Sequence, residues 1–185
     1  MILFIDTHDE LITIAIKNKN DLYIKSQESE YSHSVFTMPM IESLFKENNL
    51  NVKNLNKIIV VNGPGSFTGI RIGLSIAKTM AYALKIDINT ISSLTAYLIS
   101  NDLGKKRKAV IEDNKGFYIS LMNENNEFVD SEFYSEEDIY DDYKLVPKKL
   151  DVEKIIDYCK DLKPENAHHV KANYVKKIEV ENHDK

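Results

Sequence analysis

The fold is decided by residues 63–69, which are Gly63-Pro64-Gly65-Ser66-Phe67-Thr68-Gly69 in a chain of 185 residues. Shortly before them, residues 58–61 are apolar and β-branched, as in a buried strand that spans 57–61. Residues 67–84 just after them place apolar side chains at helical spacing. The stretch therefore predicts a strand, a glycine-rich loop and a helix.

A helix that starts after such a loop could hold an anion, because its free N–H groups and its dipole favour negative charge. The spacing argues against the familiar versions of this site. A dinucleotide fingerprint has two residues between its second and third glycines, whereas three residues separate Gly65 from Gly69. A P-loop has Lys and then Ser or Thr after its last glycine, whereas Ile70-Arg71 stands here. These mismatches favour a structural role over nucleotide contact.

A structural loop explains each residue of the motif. Gly63 and Gly65 allow backbone angles that are closed to other residues, and Pro64 has no N–H to offer an anion. Ser66 or Thr68 is predicted to cap the helix. The predicted loop-forming residues are Gly63, Pro64, Gly65, Ser66, Thr68 and Gly69.

Upstream of the loop, short apolar runs separated by Asn- and Asp-rich turns predict an antiparallel meander followed by a helix. Downstream, a further strand and a short helix are predicted. The predicted strands are 2–5, 11–16, 22–25, 57–61 and 86–91, and the predicted helices are 33–46, 67–84 and 94–99. The order β-β-β-α-β-α-β predicts an α/β lobe of the actin-like or ribonuclease-H-like kind over residues 1–104.

The first helix and the turn after the first strand contain residues whose roles the sequence leaves open. Pro39 removes a backbone bond from the first helix, so either Thr37 caps a later start or the helix bends. His33 is predicted to be a cap or a surface residue, because no second His or acid follows at the spacing of a metal site. Asp6 stands where actin-like ATPases place a phosphate-facing acidic turn, although an Asp at a strand end is equally expected in any turn.

Residues 105–185 are predicted to form a smaller, reduced α/β lobe. The basic run at its start, 105–108, is interpreted as a solvated connection. Three short strands, an acidic loop or exposed helix, and a final helix should follow. The predicted segments are 109–111, 117–122, 128–129, 136–142 and 152–162.

The composition argues against several classes of protein. A net charge of -5 lacks the positive field that drives binding to a phosphate backbone. The single Cys159 cannot form an internal disulfide, which suits a reducing compartment. No apolar segment approaches the roughly 20 residues of a membrane span, and the first residues do not have the pattern of a secretory leader. We therefore expect a soluble cytoplasmic protein that makes no membrane contact.

The two long helices carry more apolar surface than a sheet requires. At 100° per residue, the apolar arc of residues 67–84 spans roughly 200°, about twice what covering a sheet needs. Residues 36–45 give a comparably wide arc. Either these helices bury each other and the second lobe, or one side of them binds a partner.

Several short motifs together resemble the TsaB (YeaZ) family. They are residues 63–73, Ile5-Asp6-Thr7, His33-Ser34 and Ser92-Ser93-Leu94. The resemblance is firm over residues 1–98 and looser beyond. The chain is short for that family, so its second lobe is expected to be trimmed, and Glu112-Asp113-Asn114-Lys115 departs from the family pattern.

The resemblance implies a non-catalytic scaffold that pairs with the catalytic paralogue TsaD and activates it for threonylcarbamoyl transfer to the adenosine 3′ of the tRNA anticodon. A TsaE-type ATPase joins the complex, which holds most of the tRNA. ATP and a metal ion are expected in the partner subunits, with no cofactor or metal in this one. The chain alone could form a homodimer. A stand-alone actin-like ATPase or kinase is the alternative.

The same resemblance assigns partner binding to the two long helices and assigns no catalytic residue. The residues implied to contact the partner are Met38, Ile41, Phe45, Arg71, Ile72, Ile76, Thr79, Met80 and Ala83.

Overall fold

The computed structural model describes residues 1–29, 32–138 and 140–175. Its first sheet has five strands in the order β3-β2-β1-β4-β5, with β1 at its centre. The first three strands form the predicted antiparallel meander, and β4 and β5 add in parallel on the other side of β1. The strands are β1 Ile2–Asp6, β2 Leu11–Asn18, β3 Asp21–Glu28, β4 Lys57–Val61 and β5 Asp87–Ile91.

Helices cover both faces of this sheet. Because side chains alternate along a strand, Leu3 and Ile5 of β1 face the first two helices, while Phe4 faces the other two. The helices are α1 His33–Glu47, α2 Phe67–Leu84, α3 Ser93–Ser100 and α4 Val152–Cys159, and a short 3-10 turn spans Val52–Asn54. The β-β-β-α-β-α-β order is confirmed. None of the helices in the described ranges is long and apolar enough to cross a bilayer.

The first helix runs through its proline without interruption. α1 begins at His33 and includes Pro39. Thr37 does not cap a later start, because its hydroxyl is buried and donates a 2.7 Å bond to the His33 carbonyl oxygen one turn back. The predicted surface or capping role of His33 is also wrong, since Ser32 is the capping position and the His33 side chain is buried.

A second sheet of four strands has the order β8-β7-β6-β9. Its strands are β6 Arg107–Asp113, β7 Gly116–Met122, β8 Phe133–Ser135 and β9 Lys144–Leu145. α3 lies between the two sheets, with Ala96 packed on the first and Leu94 and Leu98 on the second. The predicted strand at 128–129 is wrong: Phe128 forms only an isolated bridge with Met122, and the third strand follows later.

The basic run at 105–108 is only partly the predicted solvated connection, because Lys105 and Lys106 are exposed and precede β6 but the next two residues are buried. Arg107 and Lys108 begin β6 and are only 2% and 5% exposed. The Arg107 guanidinium donates to the Asn126 side-chain oxygen at 2.6 Å, and Lys108 binds Asp138 at 2.5 Å. The prediction used local charge alone, and it failed for Arg107 and Lys108 because their partners lie in loops distant in sequence.

The acidic segment that supplies Asp138 is a loop in its described part, 136–138 and 140–142, which is one of the two predicted forms. It folds over the outer face of the second sheet, where Tyr140 and Tyr143 pack against Val110, Ile119 and Leu121. The loop therefore covers an apolar sheet face.

The chain then returns to the first sheet. α4 ends at Cys159, earlier than predicted, and Lys57 donates to the carbonyl oxygens of Cys159, Lys160 and Leu162 at its end. Residues 163–175, which we call the C-terminal strap, begin beside the edge strand β5 and continue past α2. The predicted boundary at 104/105 separates the two sheets, but α4 and the strap lie beyond that boundary and pack on the first sheet.

The strap is fastened at several points. The Glu165 N–H donates to the Ile88 carbonyl at 2.9 Å, which forms an antiparallel bridge. Val170 is buried beside α2 in the main core. The Asn173 N–H donates to the Asn62 carbonyl at 2.8 Å. The strap thereby protects the β5 edge, which would otherwise offer unpaired backbone groups.

Candidate functional site

The glycine-rich loop rests on the turn that ends β1. The Ser66 N–H donates to the His8 carbonyl at 2.7 Å, and the Thr7 hydroxyl donates to the Gly69 carbonyl at 2.8 Å. The Ser66 side-chain oxygen accepts from the Gly69 N–H at 3.2 Å, so Ser66 is the predicted helix cap. The start of α2 is therefore held directly by β1.

Two glycines allow this contact by close approach. A Cβ on Gly65 would lie 2.2 Å from the His8 carbonyl oxygen, and one on Gly69 would lie 2.1 Å from the Thr7 carbonyl oxygen. Both distances are far below van der Waals contact, so neither position has room for a side chain. Gly65 also has a φ of 154°, in a region that side chains disfavour.

The other side of the loop is held by α3. The Ser93 N–H donates to the Gly63 carbonyl at 3.0 Å, and the Ser93 hydroxyl donates to the Pro64 carbonyl at 2.5 Å. The loop thus lies between the end of β1 and the start of α3, and these hydrogen bonds are made within the protein. This geometry supports a structural role for Gly63, Pro64, Gly65, Ser66 and Gly69, whereas Thr68 is exposed and is not the cap.

A buried polar chain lies under the loop. His8 Nδ1 is 2.6 Å from an Asp6 carboxylate oxygen, and His8 Nε2 is 2.9 Å from the Tyr97 hydroxyl. Burial alone would lower the His8 pKa, but the charge and hydrogen bond of Asp6, with help from Asp9, outweigh it and raise that pKa above its ordinary value. Burial and Asp6 raise the pKa of the Tyr97 hydroxyl.

This hydrogen-bonded group of Asp6, His8 and Tyr97 changes the interpretation of Asp6. The carboxylate is 1% exposed and also accepts the His8 N–H at 3.0 Å, so it binds its own turn. The sequence could not reveal the third member, because Tyr97 is 89 residues from His8 and only the packing of α3 brings them together. The arrangement ties β1 to α3.

The cavity next to the loop is acidic. It has a volume of about 330 Å³, and its charged lining includes Asp9, Glu10 and Glu112 together with Lys148. His33 also lines it, but His33 Nε2 lies 2.7 Å from the Asp9 carbonyl oxygen. Three carboxylates repel phosphate groups. In the described ranges, no group of three His, Cys, Asp or Glu side chains is placed to hold a metal ion.

The outward side of the two long helices, which we call the α1–α2 face, holds most of the predicted partner residues. Exposed members of the predicted set are Arg71, Thr79 and Ala83, and half-buried members are Met38, Ile72, Ile76 and Met80. Ile41 and Phe45 are 2% and 8% exposed and belong mostly to the core under the face, and both also line one of its grooves.

The face has two shallow grooves that share Met38. One, of about 530 Å³, is lined by Phe67, Arg71, Ile72 and Ile76 among others. The second, of about 610 Å³, extends from Met38 past Met80 to Val52. Ile76 and Met80 have apolar inner sides packed on the core, so the face is continuous with the core beneath it.

Two exposed aromatic residues on α2 are not among the predicted partner residues. Phe67 and Tyr82 are 60% and 67% exposed. The place of Phe67 in the first turn of a helix whose cap is Ser66 could have indicated its exposure. Large exposed apolar side chains are a feature of protein-binding surfaces, and Phe67 lines a groove of the α1–α2 face.

Comparison with known proteins gives a consistent result. A sequence model of the family described as tRNA N6-adenosine threonylcarbamoyltransferase, TsaD, matches residues 24–126. The tRNA threonylcarbamoyladenosine biosynthesis protein TsaB of Bacillus subtilis is 39% identical over 99 residues, which cover 50% of this chain and 41% of that protein. The chain thus matches less than half the length of this relative.

Two solved structures share the fold. YeaZ from Pseudomonas aeruginosa has a TM-score of 0.64 at 22% identity, covering 72% of this chain and 67% of its own. A structure described as an uncharacterized protein with similarity to peptidase YeaZ from Pseudomonas aeruginosa has a TM-score of 0.80 at 16% identity, covering 95% and 99%. The predicted actin-like fold is thereby confirmed.

Proposed function

The chain belongs to the TsaD family and, within it, to the TsaB (YeaZ) proteins; from this premise we propose that it is a non-catalytic scaffold subunit that binds a TsaD-type transferase. Its role would be to hold the transferase in an active conformation for threonylcarbamoyl transfer to the adenosine 3′ of the tRNA anticodon. The observation that carries the proposal is the α1–α2 face, an exposed apolar surface on two helices that are fixed to the central sheet.

The loop geometry supports the non-catalytic part of the proposal. The glycine-rich loop uses its serine side chain to cap α2 and its backbone groups to bind the turn after β1 and the start of α3, and the adjacent cavity carries three carboxylates. Neither feature favours a nucleotide. We therefore assign no cofactor to this chain and place the ATP and the metal ion in the transferase and in a TsaE-type ATPase. With a net charge of -5, this subunit would leave most tRNA contacts to the rest of the complex.

The kind of partner follows from the family relationship. Because one family description covers this chain and the transferases, the partner is expected to carry a lobe of similar shape. A surface that fits a similar lobe can also accept a second copy of itself, so the isolated chain is expected to form a homodimer through the same face.

Size-exclusion chromatography and calorimetry with the cognate TsaD-type protein test the proposal. Ile72→Glu with Ile76→Glu puts two charges into the first groove, where burying an unpaired charge is costly. We expect affinity to fall by a factor of about 100 or more, since a loss of about 1.4 kcal/mol is tenfold. Unchanged binding by this double variant would refute the docking face.

The matched control is Ile24→Glu. Ile24 lies on β3, is 50% exposed and is absent from both grooves, so the same chemical change there should leave binding intact. A tRNA modification assay with and without the chain then tests the scaffold role, which requires activity to fall when the chain is left out. ATP hydrolysis by the isolated protein would instead favour an actin-like ATPase.

A further inference from the structure

Arg71 is held by aromatic residues at one end of the α1–α2 face. Its guanidinium carbon lies 3.6 Å from the centre of the Phe67 ring, one turn earlier in α2. One of its terminal nitrogens donates a 3.0 Å hydrogen bond to the Tyr174 hydroxyl. Phe67 and Tyr174 are 60% and 50% exposed, so this cluster lies at the surface.

Tyr174 reaches this position through the C-terminal strap. The Asn173 N–H binds the Asn62 carbonyl at 2.8 Å, and the Asn173 side-chain amide donates to Glu132 at 2.7 Å. Val170, four residues before Tyr174, is buried, and its carbonyl oxygen accepts a 3.0 Å hydrogen bond from Lys78 of α2. The strap is thus attached to the sheet, to the second lobe and to α2 just before Tyr174.

The charge of Arg71 is not paired with a carboxylate in the part of the chain that the structure describes, whereas Lys17, Lys25 and Lys108 each pair with one. Stacking on Phe67 leaves the in-plane N–H groups directed sideways, and one hydrogen bond to Tyr174 uses only one of five donors. The remaining donors can bind a carboxylate in the two-bond geometry that arginine favours.

We propose that Arg71 is a pre-oriented anchor for a carboxylate of the protein that covers the α1–α2 face, and that Tyr174 of the strap is the residue that positions it. This inference rests on the proposed function. Arginine, tyrosine and phenylalanine are common in the binding centres of protein interfaces, and a side chain already held in its bound rotamer loses less entropy on binding. The docking surface therefore extends from the two helices onto the strap.

Binding measurements with the cognate partner test the anchor. Arg71→Met keeps the stem over Phe67 but removes the charge, and should weaken binding about tenfold or more. Arg71→Lys should retain only part of the affinity, because an ammonium lacks the planar fork. Tyr174→Phe removes one hydroxyl and should weaken binding roughly threefold, since one hydrogen bond contributes modestly. Tyr158→Phe, at a half-exposed tyrosine on α4, is the control and should bind normally.

Three further measurements distinguish positioning of Arg71 by Tyr174, and the effect of the Arg71 charge, from simple packing of these side chains. If Tyr174 acts through Arg71, adding Tyr174→Phe to Arg71→Met should cause no further loss of affinity. Higher salt should weaken the wild-type complex more than the Arg71→Met complex. In the isolated chain, the NMR resonance of the Arg71 Nε–H should be distinct in the wild type and move to the position of a free arginine in Tyr174→Phe.

The possible results distinguish failure of the proposed function from failure of the anchor. Failure of the wild-type chain to bind the partner would overturn both the proposed function and the anchor. Normal binding by Arg71→Met, with loss of binding by Ile72→Glu and Ile76→Glu, would overturn the anchor alone. An Arg71 resonance unchanged in Tyr174→Phe would overturn the positioning role. Weaker tRNA binding by Arg71→Met with unchanged partner binding would show that the Arg71 guanidinium recognises phosphate. That result would also overturn the proposed carboxylate anchor.

Discussion

The Thr7 hydroxyl donates a 2.8 Å hydrogen bond to the carbonyl oxygen of Gly69, which joins the end of β1 to the first turn of α2. The two backbones are so close that a Cβ on Gly69 would lie 2.1 Å from the Thr7 carbonyl oxygen. This contact sets the position of α2 relative to the sheet, and α2 carries most of the α1–α2 face. The glycine-rich loop therefore serves function by placing a helix.

Gly69→Ala tests this contact. In an ordinary helix the change would stabilise the protein by about 1 kcal/mol, because glycine is a poor helix former. Here the added methyl group would collide with the Thr7 backbone, so we expect a loss of about 1–3 kcal/mol in urea unfolding. Ser75→Ala, at an exposed position of the same helix, should change stability by less than about 0.5 kcal/mol. A more stable Gly69→Ala variant would refute the close contact.

His8→Gln tests the buried pair with Asp6. The His8 pKa is raised in the folded state above its ordinary 6.5, so the folded protein binds this proton more tightly than the unfolded chain does. The resulting stability is fully present below about pH 6.5 and is lost as pH rises through the raised pKa. The free-energy difference between wild type and variant should therefore be largest in mild acid, on the order of 1–3 kcal/mol, and shrink towards alkaline pH.

Urea unfolding at a series of pH values measures that difference, with the exposed His169→Gln as the control for removing an imidazole. A difference that grows with rising pH would contradict the assignment of the His8–Asp6 pair.

Cys159 should be inert in the folded protein. Its side chain is 0% exposed, and burial raises its pKa to about 12, so thiolate is scarce near neutral pH. A thiol-labelling reagent at pH 8 is expected to leave the native protein unmodified and to label one cysteine per chain in urea. Rapid labelling without denaturant would show that the packing of α4 on the first sheet is wrong.

Asp138→Asn should release the acidic loop from the second sheet. Lys108 is 5% exposed and binds Asp138 at 2.5 Å, so removing the carboxylate leaves a buried cation without its counterion. We expect a loss of about 1–3 kcal/mol and faster proteolysis within the loop. Asp142→Asn breaks only the exposed pair with Lys106 and should cost less than about 1 kcal/mol. Equal effects of the two substitutions would contradict the buried position of Lys108.

The partner-binding residues show what helical periodicity reveals. It identified α1 and α2 and showed that their apolar arcs were wider than a sheet requires. It did not show which part of each arc the sheet covers, so the sequence could not reveal that Ile41 and Phe45 are almost fully buried beneath the groove that they line. Tyr174 lies 103 residues from Arg71, and no local pattern predicts the contact between them.

The second sheet was harder to predict for a related reason. A run of Lys and Arg is usually solvated, so the start of β6 was assigned to a connection. Burial of Arg107 and Lys108 depends on partners 19 and 30 residues away, in loops whose positions only the folded chain defines. Two-residue strands such as β9 have no pattern of their own and form only because β6 offers a free edge.

The sequence by itself determined the first lobe, the family and the structural nature of the glycine-rich loop. These depend on local chemistry: β-branched runs, helical periodicity, motif spacing and residues with no side chain or no N–H. The tertiary structure alone decided which apolar residues stay exposed, where the acidic loop folds and how the strap brings Tyr174 to Arg71. Those properties depend on contacts between distant segments, and a contact between two segments is a property of neither one alone.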